Sequence, residues 1–454
     1  MKKLLKIGLV LLALLALVFT WLVLKVFPAI SGYGAKNMCS AIYLQHRQAE
    51  DVIREDISDF PKSLARFSFS EKDSSVTATV LGFAARKAIY RPGLGATLVN
   101  EFPEGEIRKQ VFALPPKPMA DPDTIPWPMG DKPVDTFPGN IDKVQLDRGV
   151  DIAFQDNPDN PLFTRAVVVV YKGQIIAERY GKGFDKHTVN LGWSMSKSLT
   201  SAMIGILVKE GKLSVDAPAP IPEWQGTDKE KITLKNILQQ ATGLDFTENY
   251  AFPSTVTNML FSKGDMAGYV ASLPLANVPG SEFYYSSGNT NLLQKIIRHT
   301  VGENGYAAFP YQSLFHRINA YSFLMEPDAS GTYIGSSYSY GTARDFARFG
   351  LLYLNNGRWN GEQILPEDWV QQTIQPVVTT EKNRYGFQFW LNSYTEQGRK
   401  MKVFPDAPDD LFYPSGYGGQ HVYIMPSKDL IVVRMGLFEI DQNSFLREII
   451  KSIR

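Results

Sequence analysis

The chain has 454 residues, 44% hydrophobic and 20% charged, enough to bury a large core and to divide into more than one unit. Lys and Arg number 47 against 46 Asp and Glu, and the body of the chain holds no basic cluster, which argues against a nucleic-acid partner. A single cysteine, Cys39, excludes an internal disulfide and a Cys-based zinc site; the five histidines (His46, His187, His299, His316 and His421) lack His-x-x-x-His spacing, so neither a metal nor a cofactor is expected.

At the N-terminus Lys2, Lys3 and Lys6 precede an uncharged apolar run from Ile7 to Leu24, followed by Lys25 and Pro28. The basic flank is expected to stay in the cytoplasm while the rest crosses, so the body of the protein is exported, facing the periplasm or cell exterior. The run just suffices to span a bilayer and is long for the core of a cleaved leader; Ala29-Ile30-Ser31 is only a passable cleavage site. Residues 1–30 therefore read as a retained transmembrane anchor, with a removed signal sequence and a secreted product as the alternative.

Residues 31–145 read as an N-terminal extension ending in the proline-rich run "ALPPKPMADPDTIPWPMGDKPVDTFPG", an extended connector, because proline at this density forbids regular helix or interior strand. From 146 the pattern becomes regular. "VDIAF" predicts a helix, and "TRAVVVVYKGQIIAERY" predicts a hairpin around Lys172-Gly173. A helical region follows from 195 to about 315. Two more strands flank Pro426-Ser427-Lys428-Asp429, and "NSFLREIIKSIR" closes as a helix. The expected fold of 146–454 is α+β: one antiparallel sheet built from remote segments, flanked by helices, with an all-α insertion.

Within "GWSMSKSLTSAMIG", Lys197 follows Ser194 by three places on an apolar, helix-like run. Residues i and i+3 share a helix face, so the Ser194 hydroxyl and the Lys197 amine can meet. A serine needs a neighbouring base to attack, and a lysine serves as one only where desolvation keeps it neutral part of the time. Ser-x-x-Lys alone recurs by chance, and its bland reading is a snorkelling lysine beside a helix cap.

Its surroundings are more specific. This segment resembles the serine β-lactamase and penicillin-binding-protein superfamily, in which Ser-x-x-Lys opens the central helix. Downstream, Tyr285-Ser286-Ser287 stands where class C enzymes carry Tyr-x-Asn, and Tyr417-Gly418-Gly419 stands where the family has Lys-Thr-Gly or His-x-Gly. The lead-in "RAVVVVYKGQIIAERYG" and the stretch "ITLKNILQQATGLDF" are similar as well, so the resemblance covers about 150–454. Within the superfamily the chain is most similar to the branch that includes 6-aminohexanoate-dimer hydrolase. The resemblance implies Ser194 as the acylated nucleophile, Lys197 as the base and Tyr285 as a proton relay. It further implies an oxyanion hole from the backbone N–H groups of Ser194 and Gln420, and a substrate-binding wall of Ser287, Tyr417, Gly418 and Gly419.

The departures narrow the expected chemistry. Tyr417 has no charge to offer a substrate carboxylate, and Ser287 lacks the amide of the family asparagine, so esters or short amides fit better than β-lactams or D-Ala-D-Ala peptides. Trp193 and the aromatics of "RYGFQFW" read first as core and second as pocket lining; His421 has no identifiable acid partner. A serine-histidine-aspartate enzyme is disfavoured because "GWSMS" lacks the final glycine of a nucleophile elbow. The competing expectations are a non-catalytic envelope protein that binds a ligand in the same cleft, and an envelope scaffold in which the N-terminal part is the working one.

Overall fold

The structure is a computed structural model that describes residues 2–134, 136–155, 161–251, 253–377 and 384–454. Asp135, inside the proline-rich run, lies outside them. The chain divides into two units, one of residues 1–110, 246–269 and 326–332 and the other of 111–245, 270–325 and 333–454.

In the first unit a single helix runs from Lys3 to Tyr43. It comprises α1 (Lys2–Trp21), a π-helical turn (Leu22–Val26) and α2 (Phe27–Tyr43). The sequence places an end near residue 30, yet the helix passes through it. Pro28 lies in the first turn of α2, directly behind the π turn, where a missing N–H is tolerated. The apolar side chains of α1 are exposed, whereas α2 is buried almost all round. Its small residues permit this: a β-carbon on Gly34 would stand 3.0 Å from Phe67, and one on Gly32 2.8 Å from Phe261.

The extension read without strands from its sequence holds a four-stranded antiparallel meander: β1 (Ala65–Ser70), β2 (Ser75–Val80), β3 (Phe83–Arg91) and β4 (Gly95–Leu98). Short helices α3 (Ala49–Glu55) and α4 (Glu104–Lys109) flank it. At the centre of this unit Lys36 on α2 donates to Glu326 and to the Ala96 carbonyl (2.5 Å), and Glu326 also accepts from Ser40 Oγ and Ala96 N, both at 2.7 Å. Burial pushes the Lys36 amine down and the Glu326 carboxyl up, each opposed by the partner's charge. A buried carboxylate and ammonium persist only when paired and hydrogen-bonded in this way.

The second unit begins with the proline-rich run and α5 (Lys143–Ala153). Its sheet is antiparallel throughout. In spatial order it contains Trp390–Leu391, Phe412–Tyr413, Gln420–Met425, Leu430–Met435, β5 (Ala166–Tyr171) and β6 (Gln174–Tyr180), with Ser415–Gly416 also paired to Gln420–Met425. The expected hairpin closes at Lys172 and Gly173, both with positive φ (48° and 76°), as a two-residue turn of matching twist requires. The strands are apolar on both faces because helices cover both. α5 and the C-terminal helix Gln442–Lys451 meet Val167, Val169, Tyr423 and Val432 on one side. On the other, Gly350 of helix Ala343–Leu354 lies against Val422 and Ile431, where a β-carbon would approach to 2.9 Å. Arg348 of that helix binds the Pro128 and Gly130 carbonyls (2.8 and 2.5 Å) and lies 4.6 Å from the Trp127 ring centre, which fastens the proline-rich run in place. The helical insertion includes α6 (Met195–Lys209) and helix Ser287–Val301, and it is broken into more short helices than the sequence suggests.

Candidate active site

Ser194 caps α6, and Lys197 lies in its first turn. Lys197 is 1% exposed, while Ser194 is half-buried. The lysine Nζ donates to Ser194 Oγ at 2.9 Å, to the Ser336 carbonyl at 2.9 Å and to Ser287 Oγ at 3.2 Å. Three oxygens thus fix the amine on a face otherwise committed to the core.

The turn entering α6 is strained. Trp193 has φ +46°, a left-handed conformation uncommon for a bulky residue. It is held from several sides: Ser196 Oγ donates to the Trp193 carbonyl (2.6 Å) and accepts from Ser339 N (3.0 Å), while Gly192 N donates to the Ser339 carbonyl (2.8 Å). The consequence is a serine fixed in direction before any ligand arrives.

Tyr285 presents its ring to the same amine, with the centroid 4.9 Å from Lys197 Nζ. Trp390 stacks on that ring (5.4 Å), and Tyr385 meets it edge-on (5.8 Å), so two aromatics of "RYGFQFW" belong to the site, whereas Phe387 and Phe389 are core. Ser287, expected at the substrate wall, is fully buried, with its hydroxyl on Lys197.

The third motif forms the turn between Ser415–Gly416 and Gln420–Met425. Gly418 and Gly419 take φ +81° and +71°, and any side chain at Gly418 would collide with the Leu437 carbonyl at 2.4 Å. Tyr417 is 59% exposed, with its ring 5.9 Å from Trp193. Gln420 anchors the strand beside α6: its Nε2 donates to the Leu191 carbonyl at 3.0 Å and to the Tyr417 carbonyl at 3.2 Å.

Several supporting residues escaped the sequence analysis. Arg434, fully buried, donates to the carbonyls of Gly418 (2.8 Å) and Gly419 (3.1 Å) and so sets the turn. Gln240 Oε1 accepts from Ser286 N (3.1 Å) and Asn289 Nδ2 (2.9 Å), while its Nε2 donates to Gln388 Oε1 (3.1 Å). That buried amide pair positions the Tyr285–Ser287 segment. Ser336 lies in no motif, and its contribution is a backbone carbonyl. His421 is buried, its ring against those of Tyr413 (5.3 Å) and Tyr423 (5.0 Å). Burial, reinforced by the Arg434 guanidinium, pushes its pKa down to about 3.

An antiparallel sheet covered by helices on both faces, with Ser-x-x-Lys heading a buried helix, defines the fold class of the serine β-lactamases and penicillin-binding proteins. Residues 163–436 match the Beta-lactamase family over more than half of the chain, and the chain belongs to that family. It is 25% identical over 294 residues to the 6-aminohexanoate-dimer hydrolase of Paenarthrobacter ureafaciens, covering 60% of this chain and 72% of that protein. Among solved structures it is similar to a family VIII carboxylesterase (TM-score 0.55, 14% identity, 69% of this chain and 98% of that one). It is also similar to a penicillin-binding-protein homologue from Caulobacter crescentus (TM-score 0.53, 15% identity, 69% and 97%). At these identities the structural likeness is one of fold.

Proposed function

We propose that the protein is an exported, membrane-anchored serine hydrolase that cleaves esters or short amides through an acyl-enzyme on Ser194. The observation that carries this reading is the 2.9 Å contact between Ser194 Oγ and the Nζ of a 1% exposed lysine. At that distance a proton can pass directly between the hydroxyl and the amine, which acts as the base in its neutral form.

In the first step Ser194 Oγ attacks the acyl carbon as its proton passes to Lys197 Nζ. Negative charge develops on the carbonyl oxygen, for which the backbone N–H groups of Ser194 and Gln420 are the donors; each such donor is worth about 3–4 kcal/mol in the transition state. Collapse breaks the bond to the leaving alcohol or amine, which receives the lysine's proton by way of the Tyr285 hydroxyl. Water then attacks the acyl-enzyme, giving its proton to Lys197 by way of Tyr285; collapse breaks the bond between the acyl carbon and Ser194 Oγ, which takes the proton back from Lys197 as the acid departs. Ser287 and the Ser336 carbonyl hold the amine in place through both halves. Tyr417, uncharged and exposed, supports neutral substrates over those with a carboxylate.

The test is covalent labelling of the full-length chain. A fluorophosphonate is expected to modify Ser194, and Ser194→Ala is expected to lose both the label and the hydrolysis of a chromogenic acyl ester with its circular dichroism unchanged. Full turnover in that variant would refute the assignment. A chromogenic cephalosporin offered in parallel is expected to be a poor substrate; rapid turnover would return the protein to the β-lactamases proper.

A further inference from the structure

The turn joining β2 to β3 breaks an ordinary rule of hairpin chemistry. Val80 pairs with Phe83, leaving Leu81 and Gly82 as a two-residue loop with φ +51° and +81°. In water this turn is built from Asn-Gly or Asp-Gly, because both central residues need positive φ and the tip is solvated. Here the first position carries leucine, 60% exposed, and the next residue but one is Phe83, 46% exposed. Nothing in the turn calls for the leucine, which is disfavoured in the left-handed region and is left exposed.

The same unit says where this tip lies along the N-terminal helix. Phe83 meets Phe19 of α1 edge-on, with ring centres 5.4 Å apart, and Phe19 in turn meets Phe27 at 6.2 Å. Leu22, Val23 and Val26 pack with Ala84 and Leu64 around Phe27, Ile30, Ala65 and Val80. The apolar run ends at Leu24, so Phe19 lies roughly 7 Å inside its end at 1.5 Å per residue. That is the depth, about 5–10 Å, at which interfacial apolar groups enter the boundary between headgroups and acyl chains. Trp21, half exposed, lies about 3 Å nearer that end and Lys25 just beyond it, the order in which aromatic and basic residues favour the interface.

We infer that the Leu81–Phe83 hairpin tip inserts into the outer leaflet of the membrane that α1 crosses, a second lipid contact beside the transmembrane helix. It rests on the anchor reading of α1. The partner is the lipid bilayer itself, met by an apolar turn at interfacial depth, where backbone groups outside the ladder still reach headgroups and water. A tip and a helix joined by ring contacts give the unit two points of attachment, which restricts its tilt at the membrane surface.

The test uses full-length protein in nanodiscs of phosphatidylcholine and phosphatidylglycerol, each variant carrying one environment-sensitive fluorophore on an introduced cysteine in a Cys39→Ser background. Labels at Leu81→Cys, at Leu12→Cys in the helix and at Phe69→Cys, exposed on β1 four residues beyond the tip-proximal Ala65, are challenged with lipids bearing a quencher near the headgroup. The expected result is a blue shift and strong quenching at 81, a blue shift at 12 and neither effect at 69. A lipid signal at 12 with a water-like label at 81 overturns the inference and leaves the anchor standing. A water-like label at 12 overturns the anchor, and the inference with it. A urea-denaturation midpoint equal to the parent's in each labelled variant shows that the fold survived labelling.

Discussion

Gly416 and Gly192 press backbone against backbone: a β-carbon on Gly416 would stand 2.4 Å from the Gly192 carbonyl oxygen. The strand edge of the third motif therefore lies directly on the turn that delivers Ser194, two residues later, and the Gln420 side chain repeats the tie through Leu191. Gly416→Ala must push these backbones apart and carry the Gln420 N–H out of line. Its turnover number is expected to fall about 10²-fold, the loss that follows removal of one oxyanion donor, with little change in secondary structure by circular dichroism. Undiminished turnover would dissociate Gln420 from catalysis.

Lys197 offers a sharper comparison. Lys197→Met removes the proposed base and is expected to reduce turnover by about 10²–10⁴. Lys197→Arg is expected to be as inactive, since a guanidinium stays charged and accepts no proton. Steady-state kinetics on a chromogenic ester distinguish this from a role for the positive charge alone, under which arginine would restore activity.

Lys36 and Glu326 give a stability prediction independent of catalysis. Removing one member strands a buried charge, so Lys36→Met is expected to destabilise its unit by about 3–5 kcal/mol in urea denaturation. The double variant Lys36→Met, Glu326→Leu should recover much of that loss, because no unpaired charge remains. A single variant as stable as the parent would show the pair to be dispensable.

His421 sets an acid limit. Its pKa is depressed from 6.5 to about 3, so below about pH 6.5 the unfolded chain binds a proton that the folded chain refuses. Stability is therefore complete above 6.5 and is lost as pH falls toward 3, by about 1.4 kcal/mol per pH unit within that window. Between pH 7 and pH 4.5 the parent should lose about 2–3 kcal/mol more than His421→Phe, which keeps a ring against Tyr413 and Tyr423 but does not titrate. Equal acid sensitivity in the two proteins would assign the effect to other groups.

What the sequence revealed follows the range of the contacts involved. Ser194 and Lys197 are one helical turn apart, so their meeting was readable from spacing, as were the hairpins at Lys172-Gly173 and Pro426–Asp429. The groups that hold them were not readable. Gln240 and Gln388 are 148 positions apart, and Lys197 reaches Ser336 across 139. Ser336 contributes only a carbonyl, which every residue possesses and no motif can mark. The meander of 65–98 did leave a mark, since "ARFSFS" and "SVTATV" alternate apolar and polar residues, but its strands pair only with one another and carry no motif to single them out. α2 escaped because a helix buried almost all round has no polar stripe to betray its period.

The unit around α2 draws on three stretches of chain, the last of them residues 326–332. During biosynthesis α1 and β1–β4 emerge first, but the carboxylate that accompanies Lys36 follows 290 residues later, a delay of roughly 15–60 s at ordinary elongation rates. Throughout that interval an ammonium group waits on a helix destined for a dry interior. This unit of the nascent protein thus stays open until most of the polypeptide has been translated, a window in which proteases and chaperones have access to it.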